Sequence, residues 1–171
     1  MWMSTNPGAR MASPKSVVFV SAGADFQMPL IESISQGKFL LEKGSKGALL
    51  TPPGLGLLRQ IEKKMKAKLN GLSINKICEV LPCVILEDFA LAKDLTMNAE
   101  AEHIHLTIEN SIYRSLYNPE NGSKSARLLG CPIASAIACI LAQASGKTIT
   151  IAEIKTSSDE SVIETEYQIV S

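Results

Sequence analysis

The stretch 128–144, LLGCPIASAIACILAQA, constrains the fold most because it is apolar, carries no charge and is rich in small residues. Small side chains recur there at every fourth position, namely Gly130, Ala134, Ala138 and Ala142. This spacing places them in one stripe along a helix, where another backbone can come close. A helix without charged residues must be buried on most of its circumference. Pro132 suits the first turn of this helix and Gly146 suits its C-terminal end.

Alternating apolar and polar residues predict two β-hairpins in the C-terminal half of the chain. Residues 148–155 and 162–170 alternate on either side of a polar turn. Residues 102–109 also alternate, after an apolar stretch over 83–86 that leads into 89–97 and a turn at 98–100. Hairpins separated by helices favour an α+β class, with an antiparallel sheet built from two hairpins and helices packed on one face.

The sequence pattern of the N-terminal half predicts shorter helices and strands. Residues 1–15 read as a flexible arm and 16–171 as a single domain, divided into an N-terminal segment 16–72 and a core 73–171. The segment 16–72 contains a strand at 16–21, a short helix at 29–35 and a hairpin within 38–50. A helix capped by Thr51, with Pro52 and Pro53 in its first turn, then runs to Gly71. A further helix over 73–80 is ended by Pro82, and Asn110 or Ser111 caps a short helix reaching Tyr117.

The amino-acid composition limits the classes of binding partner and the cellular location that we expect for this chain. Seventeen basic and seventeen acidic residues cancel, so no strong field draws the chain to nucleic acid. We expect no membrane span and no secretory signal, and therefore a cytoplasmic protein. Cys78, Cys83, Cys131 and Cys139 are expected to be reduced thiols, although Cys78 and Cys83 are close enough in sequence to bridge across Pro82.

Motifs for catalysis and phosphate binding are absent from the sequence, since GxGxxG, GxxxxGK[ST], GxSxG and HExxH do not occur. His103 and His105 lie with Glu109 on the outer side of a predicted strand, either as solvated side chains or as a ligand or proton sensor. The lysines at 63, 64, 66 and 68 suit a solvated helix face or a phosphate-docking patch. We predict no catalytic residues, no cofactor and no metal.

Several segments resemble the 4-vinyl-reductase-type domain, whose superfamily includes subunits of the TRAPP vesicle-tethering complex. The matching segments are HIHLTIEN, SIYRSL, LLGCPIASAIACIL and the closing EYQIV. Upstream, GKFLLEKGSKGALLTPPGLGLLRQIEKKM resembles the segment that precedes this domain in aromatic-compound-sensing regulators. The resemblance covers about 37–171, and it implies the fold of TRAPP subunits and NO-binding domains.

The resemblance also implies a homodimer with an apolar pocket between helix and sheet, which in the family receives small aromatic or acyl ligands. Many family members bind zinc with two cysteines eight residues apart, where this chain has Ser157 and Thr165. A hydroxyl is a poor ligand for zinc, so the resemblance predicts no zinc site here. Cys131 stands near another family cysteine, and alone it cannot hold zinc.

The expected function is a non-enzymatic small-molecule-binding or sensor module that acts as a homodimer. Periodicity and the resemblance together suggest the residues of the pocket, which are Leu106, Ile108, Ile137, Leu141 and Tyr167. Plain core packing is the other reading of these five side chains. The alternative functions are a scaffold or tethering subunit that works through protein surfaces, and a reductase of the kind that the family name implies.

Overall fold

The computed structural model of the chain describes residues 16–21, 40–41, 47–65, 69 and 71–170. The strands are β1 (Val18–Ser21), β2 (Leu40–Leu41), β3 (Gly47–Leu50), β4 (Asp94–Glu100), β5 (His103–Glu109), β6 (Thr148–Thr156) and β7 (Val162–Val170). The α-helices are α1 (Leu55–Met65), α2 (Ile74–Cys83), α3 (Lys124–Leu129) and α4 (Pro132–Ser145). A π-helical turn, Val84–Asp88, follows α2, and a 3₁₀ turn, Arg114–Tyr117, follows β5.

Two hairpins form the main sheet, which is antiparallel with the strand order β4-β5-β7-β6. The first hairpin pairs Leu95 with Ile108, and the two hairpins join where Leu106 of β5 pairs with Thr165 of β7. Side chains at alternate positions point into the core, as in the burial of Ile163, Thr165, Tyr167 and Ile169 along β7. The predicted antiparallel sheet from two hairpins is confirmed, and α2 and α4 contact it at β4 and β6.

A second sheet forms at the N-terminal end of the described chain. β3 pairs antiparallel with β1 on one side and with β2 on the other. The strand predicted at 16–21 and the hairpin predicted within 38–50 are therefore confirmed. The predicted arm 1–15 and the predicted helix 29–35 lie outside the described residues.

The bounds of α1 correct the prediction for this helix. It begins at Leu55, not within the prolines, because Thr51 and Pro52 each precede a proline and are disfavoured in the helical region. The first helical hydrogen bond runs from the Leu58 N–H to the Gly54 carbonyl, 2.8 Å away. Within the described residues the helix ends at Met65, and Leu69 is buried without being helical.

The prediction that Pro82 ends the helix over 73–80 is wrong. Ser73 caps α2 by accepting a hydrogen bond from the Lys76 N–H, and Pro82 lies inside the helix. A proline removes a backbone donor and crowds the preceding turn, and here the helix widens into the π-helical turn that follows. The residues 83–88 are consequently helical and not part of a strand, and β4 begins only at Asp94. The turn between β4 and β5, which we predicted at 98–100, is formed by Ala101 and Glu102.

The apolar stretch 128–144 is not one continuous helix. Gly130 has φ +77° and ψ 161°, an extended conformation with positive φ that suits glycine, and it separates α3 from α4. Pro132 opens α4 and Gly146 ends it in the left-handed conformation, as predicted. Because Gly130 lies outside α4, the stripe of small residues on the helix is reduced to Ala134, Ala138 and Ala142.

The core surrounds α4. Eleven of its residues, 133–143, are buried, and the helix contacts α1, α2 and β6. The predicted burial on most of the circumference is confirmed. The close backbone approach occurs beside the predicted stripe: a Cβ on Gly54 would lie 2.1 Å from the Ala136 nitrogen and 2.5 Å from the Pro132 carbonyl oxygen.

Candidate functional site

The five predicted pocket residues lie in the layer between α4 and the main sheet. Leu106 and Ile108 come from β5, Tyr167 from β7, and Ile137 and Leu141 from α4. Each is at most 1% exposed, and all belong to one continuous hydrophobic cluster. The fold thus brings the five side chains into the same core, and a ligand among them would be shielded from water.

Two buried tyrosine hydroxyls tie this layer to α4. The Tyr167 hydroxyl donates to the Ala134 carbonyl oxygen at 2.8 Å, and the Tyr117 hydroxyl accepts from the Cys131 N–H at 2.8 Å. Both tyrosines are 0% exposed. Burial, and secondly the neighbouring Cys131, raises the pKa of each phenol above its usual value. Both side chains are therefore neutral at physiological pH.

Thr165 is the polar side chain of this layer that lacks a partner. Its side-chain oxygen is buried without a hydrogen bond to any described residue, and Thr165 is 2% exposed. It lies opposite Leu106 on β5 and between Ile163 and Tyr167 along β7. An unpaired hydroxyl in such surroundings costs about 1–3 kcal/mol relative to a hydrogen-bonded one.

The buried thiol of Cys139 is protonated at neutral pH. Burial raises the pKa of Cys139 to about 12, and the neighbouring Ser16 side chain offsets part of this effect. Cys131 is also buried, while Cys78 is half-buried, Cys83 is exposed, and all four are free thiols. The bridge between Cys78 and Cys83 that the sequence left open is therefore not formed.

The outer face of the main sheet is polar. His103, His105 and Glu109 lie on it as predicted, and the His103 Nδ1 is 2.7 Å from the Glu166 Oε1. A groove of about 240 Å³ crosses this face, and its lining residues are His105, Leu106, Thr107, Glu153, Lys155, Glu164, Thr165 and Glu166. Among the described residues, no three His, Cys, Asp or Glu side chains come together in an arrangement that could hold a metal ion.

One segment has the length and composition of a membrane-spanning helix. It is Lys124–Ser145, which includes α3 and α4, and 78% of its most apolar window is buried within the protein. The core helix of a globular protein has the same composition, so this segment is weak evidence for a span.

Sequence reasoning overlooked two polar groups of the interior. The alternation along β7 puts Thr165 on the same side of the strand as Ile163 and Tyr167, and this is the signal that could have identified Thr165 as a candidate site residue. The contact between Tyr117 and Cys131 had no comparable signal, because it joins a 3₁₀ turn to the residue before α4 across a loop.

These features define a mixed α/β domain with an antiparallel sheet, a buried central helix and a neutral interior layer. Residues 7–167 match the model of a family described as "Domain of unknown function (DUF7982)", and the chain belongs to this family. No curated protein and no solved structure matches the chain.

Proposed function

We propose that this protein is a non-enzymatic binding or sensor module that acts as a homodimer and takes a small, mainly apolar and uncharged molecule between α4 and the main sheet. The observation that carries the proposal is the unpaired Thr165 hydroxyl. A ligand with one hydrogen-bonding group would supply the missing partner, while its apolar part contacted side chains such as Leu106 and Tyr167.

The chemistry of the layer favours binding over catalysis. The Tyr167 hydroxyl is engaged with the Ala134 carbonyl, and the Cys139 thiol is protonated at neutral pH. A protonated thiol is a weak nucleophile, because the thiolate is the reactive form. A buried layer without charge also disfavours a charged ligand, which would lose its hydration without gaining an ionic partner.

The resemblance to the 4-vinyl-reductase-type domain agrees with this ligand class. Family pockets that receive aromatic or acyl compounds occupy the space between helix and sheet, where Leu106, Ile108, Ile137, Leu141 and Tyr167 lie in this chain. A phenol or a short acyl alcohol combines the apolar body and the single hydroxyl that this layer would accommodate.

Native mass spectrometry of the purified protein, under gentle and then denaturing conditions, tests the proposal. We expect a dimer with a reproducible additional small mass that is released on denaturation. Thr165→Val should lose this mass, because the methyl group cannot form the hydrogen bond. Thr96→Val, at an exposed position of the same sheet, is the matched control and should retain it.

A thermal-shift titration with phenol covers the case of a ligand lost during purification. Phenol should raise the melting temperature of the wild-type protein and of Thr96→Val more than that of Thr165→Val. Without ligand, Thr165→Val should melt at a higher temperature than the wild type, because it removes an unpaired buried hydroxyl. Absence of any bound mass together with equal phenol responses in all three proteins would contradict ligand binding, and turnover of a bound compound would contradict the non-enzymatic assignment.

A second candidate function is a scaffold or tethering subunit. It is favoured by two large apolar side chains on the surface, Ile112 at 59% and Leu128 at 57% exposure. Exposed apolar side chains can serve as contacts for a protein partner. A stable hetero-complex, recovered with the wild-type protein and lost with Ile112→Ser or Leu128→Ser, would favour this function.

A further inference from the structure

β6 is an edge strand of the main sheet. Within the described residues it pairs as a strand with β7 alone, and no described strand lies beside residues 152–156 on the other side. The strand is nine residues long, and a regular register resumes at Glu153 after an irregularity between Ile151 and Glu153. A long edge of this kind is a template for pairing with another strand.

The charges on this edge are self-complementary. Glu153 and Lys155 flank Ile154, and both are exposed on the outer face of the sheet. Within one chain their side chains form an ion pair of 2.9 Å. If two β6 strands pair antiparallel about Ile154, Glu153 of each strand stands opposite Lys155 of the other, and directly opposed side chains of opposite charge stabilise an antiparallel pair.

The other edge of the main sheet has the opposite property. The charged residues of β4 are both acidic, and Asp94 and Glu100 lie at equal distances from Met97. Antiparallel self-pairing about Met97 would therefore place carboxylates opposite each other. Like charges in this position destabilise a strand pair, so β4 repels its own copy where β6 attracts it.

Apolar side chains beside β6 are incompletely covered. Ile151 and Ile154 lie on the inner side of the sheet, but they are only partly buried, whereas their neighbour Tyr167 on β7 is 0% exposed. α3 contacts β6 and carries the exposed Leu128. A second copy paired along this edge would cover Ile154 and bring the two α3 helices near the same interface.

We propose that two copies of this chain dimerise through antiparallel pairing of their β6 strands about Ile154, which joins the two main sheets into one continuous eight-stranded sheet. Two reciprocal ion pairs between Glu153 and Lys155 set the register. This inference rests on the homodimeric state in the proposed function and does not depend on the ligand.

Charge-reversal variants test this register. Glu153→Lys alone and Lys155→Glu alone each place like charges opposite each other in a homodimer, and each should weaken dimerisation by about tenfold or more. An equimolar mixture of the two variants should form a heterodimer, because the purely basic edge of one then faces the purely acidic edge of the other. The double variant Glu153→Lys/Lys155→Glu should dimerise almost as the wild type does.

Sedimentation equilibrium over a concentration series measures the dissociation constants, and circular dichroism verifies that each variant is folded. Glu153→Lys is the more informative single variant, because Lys155→Glu also adds an acidic side chain opposite Glu164 within its own sheet. A dimer with the same dissociation constant in all variants would overturn the β6 interface while leaving homodimerisation intact. A wild-type monomer throughout the series would overturn both. The ligand-dependent measurements on Thr165 would stand in either case.

Discussion

The Tyr117 hydroxyl connects the 3₁₀ turn after β5 to the residue before α4. It accepts a hydrogen bond from the Cys131 N–H at a buried position, so Tyr117→Phe leaves that N–H without a hydrogen-bond partner. We expect this substitution to reduce the free energy of unfolding by about 1–3 kcal/mol. Urea denaturation measures the effect, with Tyr113→Phe at a partly exposed position as the control. Equal stability of the two variants would show that the hydrogen bond contributes nothing.

Asp159 organises the turn between β6 and β7. The Ser157 and Ser161 hydroxyls donate to its carboxylate at 2.6 and 2.8 Å, and together with the Ser161 N–H they lower the pKa of Asp159 to about 2. A depressed pKa means that the carboxylate stabilises the folded state above its ordinary pKa, and that this contribution is lost as the pH falls from about 4 towards 2.

An NMR titration of the Asp159 carboxyl group should therefore give a midpoint well below the ordinary value. Asp159→Asn should melt at a lower temperature than the wild type at pH 7, and this difference should shrink as the pH approaches 2. A midpoint near 4 would contradict the hydrogen-bonding pattern of the turn.

The junction of α1 and α4 depends on the absence of a side chain at Gly54. The Gly54 N–H donates to the buried Ser135 hydroxyl oxygen at 3.1 Å, and an added Cβ would collide with the backbone of α4. We expect Gly54→Ala to destabilise the protein by about 1–3 kcal/mol through overpacking.

Gly56 is a matched control two residues away. It is exposed within α1, and an added Cβ meets no atom within 4 Å. Gly56→Ala should raise the free energy of unfolding by about 0.5–1 kcal/mol, because alanine restricts the unfolded chain and favours the helix. Thermal or chemical denaturation of the two variants compares them directly, and a Gly54→Ala variant that is as stable as Gly56→Ala would contradict the close approach at Gly54.

The predictability of the elements follows from how local their signals are. The alternation along β5 and β7 and the charge-free stretch after Leu128 gave the two hairpins and the buried helix. The break at Gly130 and the passage through Pro82 were predicted incorrectly, because both depend on how neighbouring backbone satisfies or avoids hydrogen bonds. The same distinction applies to the candidate site. The periodicity of the sequence predicted that the five apolar residues are buried together, whereas the lack of a hydrogen-bond partner for Thr165 depends on the three-dimensional positions of its neighbours.

At the scale of the whole molecule, the two sheets differ in their connection to the core. β5 and β7 are central strands whose inner side chains belong to the main hydrophobic cluster. The N-terminal sheet contributes one fully buried residue, Val18 of β1, to that cluster, and Phe19 of the same strand packs in a separate small cluster with Val17 and Leu49. We expect amide hydrogen exchange under native conditions to be slowest in β5 and β7 and faster in β1 and β3. Equal protection in both sheets would show that they open together as one unit.

The position of α4 in the chain has a consequence for synthesis. The helix precedes β6 and β7, and Tyr167, which fixes it through the Ala134 carbonyl, is made 33 residues after that contact point. A growing chain therefore presents the largely apolar segment 124–145 before the final hairpin, which covers it, can fold. During that interval this segment is the part of the nascent chain that chaperones for exposed hydrophobic sequence would bind, and its release awaits folding of the final hairpin.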